Sequence, residues 1–232
     1  APLPGAAVKL FVTPPDGPRQ ELATTAADAD GRYLFARVPL TDTLDLEVTL
    51  ANHAVAPVGF QVTYRRADGA PRVPVTLRTR PFSNAASPLL QRDVVFTDGA
   101  GISAVDAAHL DDVAVTYSHV AQAWQTAGEL GLELGMHAGK GEPLEIRTFS
   151  PMTGTFWHGD AHVGPAYGVL ATPDNVFVNI EAAEAASGQR DRPMNREWHE
   201  MGHHVHADAQ GDAMPRYWVS NAISNTNHSG RL

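Results

Sequence analysis

The chain has 232 residues, of which 43% are hydrophobic and 19% charged, and its formal net charge is −9 at pH 7. This composition is that of a globular protein; the acidity argues against a basic nucleic-acid groove, and no apolar run approaches the length of a membrane span. Cysteine is absent, which excludes disulfides, thiolate metal ligands and a cysteine nucleophile together, so any metal must rest on His, Asp, Glu or carbonyl oxygen.

The opening "APLPGAAVKL" has neither a basic n-region nor an apolar h-region, so no signal peptide is read there. The lack of cysteine suits an exported bacterial protein, and a secreted or cell-surface location is expected. Residues 1 to about 80 read as β structure. Strands are predicted at Ala7–Thr13, Arg32–Val38, Thr43–Leu50, Gly59–Arg65 and Arg72–Thr79, separated by the turn signals "PPDGP", "DADG" and "ADGAP". Short strands at this spacing, without a helical period, predict a small antiparallel β-sandwich.

The piece "TTAADADGRYLFARVP" resembles the signature of transthyretin-like and carboxypeptidase-regulatory-like domains. There an Asp-Gly turn (here Asp30-Gly31) leads into a strand alternating through Tyr33 and Phe35 to Val38-Pro39. The resemblance covers about the first third of the chain and implies an accessory β-sandwich with no chemistry assigned to it.

Residues 81–92 read as a linker, rich in Ser, Asn and Pro. Beyond it Val113, Tyr117, Val120, Trp124 and Ala127 fall at i, i+4, i+7, i+11 and i+14, which predicts a long amphipathic helix over Ser103–Leu130. Its apolar stripe is core packing. A strand follows at Leu144–Ser150, and two more are expected in Ala166–Ile180 around a Pro-Asp-Asn turn. "IEAAEAAS" is helix or loop. A last helix runs from about Arg192 through His206, with Pro193 in its first turn and Asp191 as a cap.

That helix carries "NREWHEMGHHVH". Met194, Trp198, Met201 and Val205 form one apolar stripe, expected to pack against the domain. His199 and His203 are four residues apart, one turn above the other, and their imidazoles can converge on one ion. Glu200 lies roughly 100° around the helix from His199, where it can reach a water without holding the metal. This is HExxH, written "HEMGH", the pattern of a zinc hydrolase with the Glu as general base. The bland reading is a solvated, His-rich helix face. His206 is about 10 Å along the axis from His199, too far to share one ion. His204 points away from the ligand face. His53, His109, His119, His137, His158 and His162 lack comparable context; His158 and His162 sit in a Gly-rich stretch where helix is not expected.

On these residues, and on a preceding helix–strand–hairpin series, the chain resembles the zincin metallopeptidases, and among them the gluzincins. The resemblance implies an α+β architecture: an N-terminal antiparallel β-sandwich (1–80), a linker (81–92), then a zincin-like catalytic subdomain (93–232) of mixed sheet plus long helices, its C-terminal subdomain missing from the chain. It implies zinc held by His199 and His203, with Glu200 as base in peptide-bond hydrolysis of a peptide or protein substrate. "GPAYG" (Gly164–Gly168) resembles the cleft-edge strand that pairs with substrate in gluzincins, a plain structural strand being the other reading. The metzincin extension does not fit, because its Gly and His positions are His206 and Ala209.

A gluzincin takes its third ligand from a later Glu, and no Glu follows Glu200. Asp208, Asp212 and His228 are the internal candidates. The preferred reading is a separate C-terminal segment that supplies the ligand. His228 or Tyr217 are candidate oxyanion donors, and Asp208 and Asn195 candidate partners of the imidazoles. Two other readings stay open: a zincin-like structural or binding module of a cell-surface or assembled complex, and a non-metal binding module led by the β-sandwich.

Overall fold

The computed structural model describes residues 2–41, 43–53, 59–64, 71–86, 90, 93, 105, 109–132, 143–148, 156–158, 175–178, 198 and 201–202. Within them stand eight strands and one long helix. In chain order these are β1 (Ala6–Val12), β2 (Gln20–Ala26), β3 (Leu44–Asn52), β4 (Phe60–Tyr64), β5 (Thr76–Arg78), α1 (Leu110–Glu129), β6 (Leu144–Thr148), β7 (Phe156–His158) and β8 (Asn175–Val178). The architecture is mixed α/β.

Hydrophobic alternation places the first strands. On β3, Leu44, Leu46, Val48 and Leu50 are buried in the core, while Asp45, Glu47 and Thr49 point to the other face. β1 pairs antiparallel with β3 and sets Leu10 against Leu46 and Val8 against Val48, so both strands commit the same face to the core. The opposite face is polar and charged, as a one-sided antiparallel sheet requires.

The strands form one sheet in the order β2-β1-β3-β4-β6-β8-β7, with β5 also paired to β3. β1, β2, β3 and β5 are antiparallel, whereas β4, β6 and β8 run parallel, and β7 returns antiparallel on β8. The strands of residues 1–80 therefore belong to the same sheet as those of residues 144–178, where a separate sandwich is expected from sequence. The seam is β4 beside β6, paired from Phe60↔Leu144 to Tyr64↔Thr148. On the other side of β4, Val75 bridges to β3, accepting from Leu50 N–H and donating to the Val62 carbonyl, each at 2.8 Å.

One predicted strand fails in this half. Residues 32–38 form no strand: Arg37 adopts φ 60°, and Tyr33, Phe35 and Val38 pack against the core from an irregular segment. Instead "QELATTA" makes β2, an edge strand with mostly exposed side chains, held by its ladder to β1 rather than by apolar burial. The Asp30-Gly31 turn is present. The Asp28 carboxylate accepts from the backbone N–H of Asp30 at 2.9 Å and of Arg32 at 2.8 Å. Gly31 has φ 77°, and a Cβ there would meet the Leu3 nitrogen at 2.9 Å, so only glycine fits.

Of the segment read as a linker, residues 81–86 and 90 are described, and part of it is tied to the sheet. Phe82 exchanges two backbone hydrogen bonds with Leu44, and the buried Asn84 accepts from Thr41 N–H and donates to the Pro39 carbonyl.

α1 carries the predicted stripe: Val113, Tyr117, Val120, Trp124 and Ala127 are all buried. It begins at Leu110 rather than Ser103, with Val105 outside the helix and Asp111 and Asp112 complementing the helix dipole in its first turn. Its end is a Schellman motif around Gly131 (φ 72°), with Leu132 N–H on the Ala127 carbonyl and Gly131 N–H on that of Gly128. The helix lies on the sheet through Phe60, whose ring centroid is 5.2 Å from Tyr117 and 5.5 Å from Trp124. Farther on, β6 and β8 match predicted strands, and β7 arises where none is predicted. The first strand expected within Ala166–Ile180 lies outside the described residues, as does "GPAYG".

Candidate metal centre

The motif helix is described at Trp198, Met201 and Gly202, all helical. His199, Glu200 and His203 lie outside the described residues. So do Asn195, His204, His206, Asp208, Asp212, Tyr217 and His228.

Met201, the third residue of "HEMGH", is 2% exposed and belongs to the same hydrophobic core as α1 and β4. Its burial fits the predicted apolar stripe. Trp198 does not follow it inward and is 42% exposed. The physical reason is angular: at about 100° per residue Trp198 stands roughly 60° from Met201, at the margin of the stripe, and an indole tolerates half-exposure.

The other described histidines stand apart from one another. His109 precedes α1, where its Nδ1 lies 3.0 Å from the Tyr64 hydroxyl at the end of β4. His53 follows β3, its N–H on the Gly5 carbonyl, and burial with the nearby Lys9 lowers its pKa. His119 lies on α1, and His158 ends β7 in register with Asn175. Among the described residues no group of three or more His, Asp or Glu is placed to hold a metal ion. No known family model matches the chain, and no curated protein or solved structure matches it either.

Two charged clusters went unnoticed in the sequence. Glu145 on β6 is fully buried; its Oε1 accepts from Thr63 Oγ1 at 2.9 Å, and its Oε2 lies 3.2 Å from Arg147 Nε and 3.6 Å from Arg72 Nε. The signal was available in "LEIRT", where Glu and Arg alternate with Leu and Ile on a strand predicted to be interior. Such a strand must pair its charges, since a lone buried carboxylate costs several kcal/mol. The second cluster centres on Asp45, 1% exposed, held by the guanidinium groups of Arg19 and Arg78 at 3.1 and 3.0 Å. Burial alone would raise the Asp45 pKa; the hydrogen bonds and charges of Arg19 and Arg78 outweigh it and hold the carboxyl below its usual range. Both clusters sit on the sheet face opposite α1. Thr63 of β4 and Arg72 reach Glu145 from other segments, and Arg78 of β5 reaches Asp45 on β3, so these contacts bridge strands, whereas Arg147 stands two residues from Glu145 on β6 itself.

Proposed function

We propose that the chain is a zinc-dependent peptidase of the zincin type, hydrolysing a peptide bond with Glu200 as general base. The observation that carries the reading is the burial of Met201. In a regular helix His199 and His203 are each two residues from Met201, about 200° around the axis. A helix regular through this stretch, with Met201 directed into the core, would set both imidazoles on the side away from it. The order of elements adds support: α1, β6, the antiparallel β7–β8 pair and then helical Trp198, Met201 and Gly202 follow the sequence expected for the upper half of a zincin.

The donor set suits zinc. It offers two neutral imidazoles one turn apart and no thiolate, and a third ligand of nitrogen or oxygen type completes it: His228, Asp208, Asp212, or a Glu on a separate segment. Bound there, zinc supplies Lewis acidity toward water and the scissile carbonyl. Glu200 takes the proton from the attacking water and hands it to the leaving amine. Tyr217 or His228 donates to the oxyanion.

The test is zinc content and peptide hydrolysis in Glu200→Gln and His199→Ala. Glu200→Gln is expected to keep zinc and lose hydrolysis by a factor on the order of 10³ or more, beyond the usual general-base contribution of 10²–10⁴ at its low end. His199→Ala is expected to lose both. Full turnover in Glu200→Gln rules the mechanism out. A second reading is a zincin-like structural or binding module; wild-type protein that binds zinc yet hydrolyses no peptide supports it.

A further inference from the structure

We draw no further inference here: the strongest candidate, the outer edge of β2 (Gln20–Ala26) with the exposed Leu22 on it, pairs among the described residues with β1 alone, and nothing in the structure shows what covers it.

Discussion

The hydroxyl of Tyr117, in the middle of α1, donates a 2.8 Å hydrogen bond to the carbonyl of Pro4, near the start of the chain. Burial pushes the Tyr117 pKa upward, so the phenol stays protonated and serves as a donor. One contact thus ties the N-terminal segment to the helix that backs β4. Tyr117→Phe removes only the hydrogen bond and is expected to cost about 1 kcal/mol. Tyr117→Ala also empties the space against Phe60 and is expected to cost about 3–5 kcal/mol. Urea unfolding of the two variants checks the difference; equal losses would mean that packing plays no part.

The β4–β6 pairing joins residues 1–80 and the second half in one sheet. A chain beginning at residue 81 lacks the strand that flanks β6 and the Phe60 ring on which Tyr117 and Trp124 pack. Such a chain is expected to show no cooperative unfolding transition by near-UV circular dichroism. A sharp transition would demonstrate that the β-rich segment is a detachable accessory unit after all.

Glu145 and Arg147 form a buried pair whose members should fail differently. Arg147→Met leaves Glu145 with Thr63 and the more distant Arg72, and is expected to destabilise by about 3–5 kcal/mol. The double change Glu145→Leu/Arg147→Met removes both charges and is expected to recover at least half of that loss. Denaturation midpoints across the cycle give the coupling, and strictly additive losses would deny the pair.

Acid should weaken the Asp45 cluster. The folded-state carboxyl is held below its unfolded value, so its contribution is fully present above about pH 4 and is lost as pH falls through the folded value. At pH 6 Asp45→Asn is expected to be less stable than wild type by about 2 kcal/mol, between the exposed and buried limits for ion pairs. Near pH 2 the gap should narrow markedly. A gap that stays constant over this range would mean the carboxylate's charge contributes nothing.

Met201 and Trp198 give the orientation of the motif helix a direct measure. Met201→Ala opens a core cavity and is expected to cost about 2–5 kcal/mol. Trp198→Ala, at a half-exposed position, is expected to cost under about 1 kcal/mol. Thermal unfolding separates the two, and the reverse ranking would mean that Trp198 and not Met201 centres the packed face, a rotation of about 60°.

Much of the fold was legible wherever burial imposes a period. β1, β3, β4 and α1 follow from apolar residues recurring every second position, or every third and fourth, and all have one face in the core. β2 and β7 were not legible. β2 is an exposed edge strand of Thr, Ala and Glu, and β7 spans only Phe156–His158; each exists through its ladder rather than through a pattern of its own. The same limit explains residues 32–38. Their alternation is that of a strand, but among the described residues no ladder engages them, and their aromatic side chains reach the core from irregular backbone instead.

For the candidate site, chemistry was written in the sequence and placement was not. HEMGH names two imidazoles and a carboxylate at helical spacing, because i, i+4 geometry is a property of any α-helix. Sequence alone also determined the missing cysteine and the acidity of the second half. Only the tertiary structure decided that Met201 is buried and Trp198 is not, that Glu145 is neutralised by Arg147 and Arg72, and that β4 runs parallel to β6 across the 79 residues between them. These are pairings between distant segments. Each depends on which surfaces exclude water together, and local periodicity carries no record of that choice.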